Sequence, residues 1–104
     1  MNLLFLMIKE YISIVEQLRS LYPLENGRLI VERESFKTIL EKYAFASFAQ
    51  KIKVYKDLNL IIYDNNNYTM PYKDKSLKKT VRKVIINYKT YETMLELYSV
   101  PTKK

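Results

Sequence analysis

Cysteine, histidine and tryptophan are absent from this 104-residue sequence, and glycine occurs once. Without cysteine there is no disulfide and no thiolate nucleophile, and without histidine there is no imidazole base. Together these absences exclude the usual Cys/His zinc sites and every Ser/His/Asp arrangement. A lone glycine, Gly27, cannot build a phosphate-cradling loop. No pair of acids has a motif-like spacing, and Asp64 and Asp74 occupy turn and cap positions with evident structural uses. The apolar run Leu3 to Ile8 is followed at once by Lys9, far short of the roughly 20 residues that span a membrane. The expectation is a single-domain, soluble, cytoplasmic protein that is not an enzyme and needs no cofactor or metal.

What the sequence has in excess is positive charge, and it is unevenly placed. The formal net charge is +7. Residues 1–50 hold six Lys or Arg and six Glu, whereas residues 51–83 hold nine Lys or Arg against three Asp. A basic zone confined to one third of an intracellular chain points first to a polyanion, above all nucleic acid.

Periodicity predicts a first helix over about Leu3 to Tyr22. Leu4, Ile8, Tyr11, Val15, Leu18 and Tyr22 step by four and three along one stripe, and Pro23 ends the run. Gly27 allows a turn in the connection that follows. Leu29, Ile30 and Val31 mark a short strand over Arg28 to Glu32. Ser35 is placed to cap a helix carrying Phe36, Ile39, Leu40 and Tyr43. Ser47 with Gln50 forms a capping box for another, which presents Phe48, Ile52, Tyr55 and Asn59 to one side. Two capped helices separated by so short a connection have helix-turn-helix spacing.

Downstream, Leu60 to Tyr63 and Tyr68 to Tyr72 read as the two strands of a hairpin, with turn chemistry at Asp64 to Asn67. Ser76 is placed to cap a long final helix, Leu77 to Tyr98. Its seam is Leu77, Val81, Val84, Tyr88, Tyr91, Leu95 and Tyr98 at strict four-three spacing. The first and last helices either pack on each other within one chain or pair two chains into a homodimer.

In this order the elements resemble the winged helix-turn-helix superfamily, with "SFAQKIKVYKDLNLI" (Ser47 to Ile61) in the place of the recognition helix and first wing strand. The fold class implied is α+β, a winged helix with long N- and C-terminal helices over residues 1–104. The size and basic character also resemble small winged-helix accessory proteins encoded beside replication enzymes in bacterial mobile elements.

The resemblance implies that the helix from Ser47 presents Gln50, Lys53, Val54 and Asp57 to DNA, with Ser47 and Lys51 at the flank. Gln50 would read an adenine edge, and Lys51 and Lys53 would bond phosphate or guanine. A second cationic cluster, Lys73, Lys75, Lys78, Lys79, Arg82 and Lys83, lies where the last helix is expected to start, and helix stability gains nothing from it there. The expected wing tip, Asp64 to Asn67, has no cation.

Of ten tyrosines, seven fall on helical core stripes. Tyr63, Tyr68 and Tyr72 on the expected hairpin are open to either burial or base stacking. The function expected is a DNA-binding accessory of a replication or other DNA-processing enzyme in a mobile element or phage, with single- or double-stranded DNA as partner. Two alternatives stand beside it. One is a protein-interaction subunit or inhibitor docking on a partner enzyme through Ile86, Met94 and Leu97, which lie outside or beside the last seam. The other is a dimeric transcriptional repressor.

Overall fold

A computed structural model describes residues 3–64 and 67–98 as a mixed α+β fold. Helix α1 (Leu3–Arg19) leads into a two-residue strand β1 (Leu24–Glu25) and then β2 (Arg28–Glu32). Helices α2 (Arg33–Leu40) and α3 (Phe48–Asp57) follow, then β3 (Ile61–Ile62), β4 (Met70–Asp74), β5 (Lys79–Asn87) and α4 (Tyr88–Tyr98). The sheet is antiparallel with order β1-β2-β5-β3, and β4 also pairs with β5.

Strand β5 is the axis of the fold, and it corrects the largest sequence expectation. Residues 77–87 are not the first half of a long helix. Lys79–Asn87 is a nine-residue strand, and the last helix is only Tyr88–Tyr98. Thr80, Val81, Val84, Ile85 and Ile86 make this stretch rich in β-branched side chains, which suit a pleated surface and crowd a helical one. Residues 83–87 pair with β2 along one edge, residues 85–86 with β3, and residues 79–83 with β4. Ser76 is accordingly no helix cap. The Leu77 N–H donates instead to Asp74 Oδ1 at 3.0 Å, inside the turn that joins β4 to β5.

The expected Asn-tipped hairpin is reduced to its turn, whose tip residues Asn65 and Asn66 lie outside the described residues. Asp64 and Asn67 exchange two backbone hydrogen bonds, but β3 and β4 do not pair with each other. Ile62 lies opposite Ile85 and Met70 opposite Lys83, so the chain leaves the β5 ladder after Ile62 and rejoins it two β5 residues further on, with only Val84 between. Arg82 ties down this excursion. Its guanidinium donates to Thr69 Oγ1 at 2.8 Å and to the Thr69 carbonyl at 2.6 Å, and it lies 3.4 Å from Asp64 Oδ2.

A second hairpin forms in the connection between the first helix and β2. Glu25 pairs with Arg28, and the loop residues Asn26 and Gly27 both have positive φ, 52° and 76°. Asn-Gly is the pair favoured by the tight turn whose twist matches its flanking strands.

The core lies between the helices and the sheet face formed by Leu29, Val31, Ile61, Val84 and Ile86. Helices α1 and α4 pack on each other within the chain, with Tyr11 and Tyr91 rings 6.4 Å apart. Tyr11 is the hub. Its hydroxyl donates to the Leu60 carbonyl at 3.0 Å and the Asn87 carbonyl at 3.2 Å, joining α1 to the starts of β3 and α4. Burial drives its phenol pKa upward, so it remains a donor. Tyr11→Phe is expected to cost about 1–2 kcal/mol in denaturant unfolding, the value of a buried hydrogen-bonding hydroxyl. A loss below a few tenths of a kcal/mol would remove it from this role.

Candidate nucleic-acid interface

Helix α3 forms where its capping chemistry demands. The Gln50 N–H donates to Ser47 Oγ at 3.1 Å, and the Ser47 N–H donates to Gln50 Oε1 at 2.9 Å. The helix ends at Asn59 rather than carrying it on its apolar side. Asn59 has φ 58°, and Leu60 N–H returns to the Tyr55 carbonyl at 2.8 Å, a Schellman closure with asparagine at the left-handed position. For α2 the start lies earlier than expected, with Glu32 as N-cap and Ser35 inside the helix, where its hydroxyl lies 2.8 Å from the Tyr22 hydroxyl.

The capping geometry constrains what α3 offers a ligand. Gln50 is exposed, but its carbonyl oxygen is engaged by the Ser47 N–H, so bidentate adenine reading would require opening the box. Lys53 is exposed and lies 3.3 Å from Asp57 Oδ2, an i,i+4 pair that water and salt weaken readily. Val54 is half-buried.

Lys51 is a correction. Its side chain is 1% exposed, and no phosphate or base can reach it. The ammonium lies 2.9 Å from Glu10 Oε2, 2.7 Å from the Leu40 carbonyl and 2.6 Å from the Tyr43 carbonyl, with the Phe45 ring 4.3 Å beneath it. It stitches α3 to α1 and to the end of α2, filling the donor needs of a buried ion. Glu10 was not singled out in the sequence, because an acid on the apolar half of a helix is recognisable as a buried partner only once Lys51 is known to face it.

The remaining predicted cations divide sharply. Lys73, Lys75, Lys78 and Lys79 are exposed at the far end of the β4–β5 hairpin. Among the described residues none of these four ammonium groups has an ion-pair partner. Arg82, by contrast, is committed to Thr69 and Asp64. Lys83 is half-buried and faces Glu32 across the ladder. From Lys73 to Lys83 there are six cations and one carboxylate, Asp74, whose Oδ1 accepts the Leu77 N–H.

The β4–β5 ribbon continues past the last β2 pair, Glu32 with Lys83. At about 3.3 Å per residue the stretch 79–82 carries its tip roughly 13 Å further. The turn Lys75–Lys78 includes Lys78 at φ 54°, a left-handed conformation that costs a side-chain-bearing residue about 1–2 kcal/mol.

The structure therefore does not gather all predicted residues on one surface. Helix α3 packs chiefly on α1, α2 and β3, whereas the hairpin packs through β5 along α2. The free cations concentrate at the hairpin tip. Ile86 is fully buried in β5 and is removed from the expected protein-docking set, because the residues around it form a strand and not a helix face. Met94 packs half-buried against the core, and Leu97 remains 67% exposed. Of the hairpin tyrosines, Tyr68 is stacked on Phe36, with ring centroids 6.3 Å apart, and its edge meets Phe48. Tyr72 donates its hydroxyl to Glu25 at 3.1 Å, which pushes its pKa upward. Tyr63 is exposed beneath Lys56, 5.3 Å from ammonium to ring centre.

Among the described residues no helix is long and apolar enough to cross a membrane, and no group of three acids is placed to hold a metal. No known family model matches the chain, and no curated protein matches it in sequence.

Proposed function

We propose that this chain is a non-enzymatic DNA-binding protein of winged-helix type whose wing is the β4–β5 hairpin. The order helix, strand, helix, helix, strand, ribbon supports that assignment, as does a sheet in which the last strand, β5, lies between the strand before the helix pair and the strand after it. The single observation that carries the function is the set of four exposed lysines at the end of the β4–β5 ribbon, none of them in an ion pair among the described residues. Exposed cations at the end of one ribbon attract a polyanion, which releases its own counterions on binding. Relative to the expectation from sequence, the ribbon of residues 60–72 gives way to the one formed by residues 70–83, which carries the cations the Asn-rich turn lacked. A role as accessory to a DNA-processing enzyme is compatible with so small a domain, with Leu97 as an exposed apolar contact.

Fluorescence anisotropy with short labelled duplexes tests this. Binding at low salt that weakens linearly in log Kd against log salt supports the reading. No binding to duplex or single strand at about 20 mM salt, where each phosphate contact is strongest, overturns it.

Lys78 separates turn stability from binding. Lys78→Gly removes left-handed strain of about 1–2 kcal/mol and adds a glycine entropy cost of about 0.5–1 kcal/mol, so stability should rise by about 0.5 kcal/mol. DNA affinity should fall roughly 5-fold near 0.15 M salt, as for one lost phosphate contact. A variant that gains stability and binds as tightly as before would place Lys78 outside the interface.

A further inference from the structure

The sheet has a second apolar face, turned away from the helices. Ile30, Ile85 and Ile62 lie in a row across β2, β5 and β3, and alternation sets them on the opposite side from Leu29, Val84, Ile86 and Ile61, which face the core. Although the helices lie on that other side, Ile30 and Ile85 are only 6% and 5% exposed. Their cover comes from coiling of the sheet. Glu25 is in register with Arg28 and so with Asn87, whereas Tyr72 is in register with Val81. On a flat sheet those ladder positions would stand roughly 25 Å apart, yet the Tyr72 hydroxyl donates to the Glu25 carboxylate at 3.1 Å. The sheet therefore wraps around this face and is fastened across it by that bond. A trough results, with a cavity of about 420 Å³ whose lining includes Ile30, Ile62, Ile85 and Met70 together with the exposed Glu25 and Arg28.

The two charges at the mouth of this trough are unequally satisfied. Glu25 and Arg28 are directly opposite in the ladder, where unlike charges ordinarily attract each other. Glu25 instead accepts from Tyr72, and Arg28 has no ion-pair partner among the described residues. An aliphatic floor beside one unanswered guanidinium selects an apolar body that carries a single negative group. We propose that the trough binds a medium-chain aliphatic monocarboxylate, with its chain on Ile30, Ile62, Ile85 and Met70 and its carboxylate on the fork of Arg28. The guanidinium matches a carboxylate with two parallel hydrogen bonds, and the cavity falls in the range of roughly 300–1,000 Å³ that suits small ligands. A carboxylate fits better than a phosphate, whose greater charge would be repelled by Glu25 across the ladder.

The test is methyl NMR on the full chain, labelled at isoleucine and titrated with octanoate. Saturable shifts are expected at Ile30, Ile62 and Ile85 and not at the core residues Ile8, Ile14 and Ile52. Octanol has the same chain without the charge and should bind roughly 10-fold more weakly, since a hydrogen bond to a charged group is lost. Octylamine, which brings a cation to Arg28, should bind more weakly still. Arg28→Gln, at an exposed position, should keep the native circular dichroism spectrum, weaken octanoate roughly 10-fold and leave octanol unchanged. No saturable shift at the three isoleucines with millimolar octanoate overturns the site. Equal binding of octanoate and octanol by the parent, or tightest binding of octylamine, overturns the role of Arg28 and with it the carboxylate, whatever the variant does.

Discussion

Lys51→Met is expected to lower the unfolding free energy by about 3–5 kcal/mol at pH 7, the cost of leaving a buried charge without its partner. For a domain with a total stability of about 5–15 kcal/mol this is a large fraction, and the melting temperature should fall by about 15–30 °C. Methionine keeps the stem of the side chain, so the loss comes from the ammonium. Removing it leaves the Glu10 carboxyl beside the core without its counter-charge and takes the shared donor from the Leu40 and Tyr43 carbonyls. Among the described residues the Oε1 atom of Glu10 is already buried without a hydrogen-bond partner, which makes Lys51 the principal compensation of the carboxyl group.

The pH dependence supplies an independent check. Burial raises the Glu10 pKa above its ordinary 4.5, and Lys51, by hydrogen bond and by charge, pulls it back. A raised folded-state pKa means that the folded state binds the proton more tightly than the unfolded one. Stability from this group is therefore present below about pH 4.5 and is lost as pH rises through the folded value. In Lys51→Met the opposing pull is gone and the folded value rises further. The damage should consequently be smallest in acid and grow toward neutrality. In the double variant Glu10→Met/Lys51→Met the pH-dependent part should vanish, leaving about 1–3 kcal/mol for the carbonyls deprived of a donor. A cost below about 1 kcal/mol, or one that does not change between pH 4 and 7, would contradict a buried ion pair as the lock between α1 and α3.

Lys51 also shows where sequence reasoning reached its end. The capping box at Ser47 and Gln50 was legible because its partners are three residues apart and its geometry is local. Helices α1 and α3 and strand β2 were legible for the same reason. Whether a lysine at the fourth position of α3 faces solvent or a carboxylate in α1 depends on an encounter 41 residues distant, and no periodicity records it. Residues 77–87 failed differently. Val81 and Val84 satisfy a four-three seam with Leu77 and Tyr88, while the density of β-branched side chains in the same stretch favours a strand. Pairing on both edges of β5 decided between these patterns, and only the assembled sheet contains that information. The Asn26-Gly27 turn, in contrast, was available to inspection as a strong local hairpin signal. The six hairpin cations were recognised as a cluster from sequence, but the separation of four free lysines from the anchored Arg82 and the half-buried Lys83 belongs to the ladder register.

That separation leads to the largest effect expected on binding. Replacing Lys73, Lys75, Lys78 and Lys79 together by alanine should weaken duplex DNA affinity roughly 10²–10³-fold near 0.15 M salt. It should also reduce the slope of log Kd against log salt by about three to four, since each phosphate contact contributes about 0.9. The loss should be similar across sequences, because phosphate contacts carry no base information. Folding should be unharmed. The four side chains are exposed and make no ion pairs among the described residues. A control is built into α3. Lys53→Ala removes an exposed cation already paired with Asp57 and should change the slope by at most about one. If the quadruple variant binds as well as the parent while Lys53→Ala or Gln50→Ala abolishes binding, contact lies on α3 and the hairpin assignment fails. If the quadruple variant loses affinity but keeps its salt slope, the lysines act through folding and not through phosphates, and a melting curve would show it.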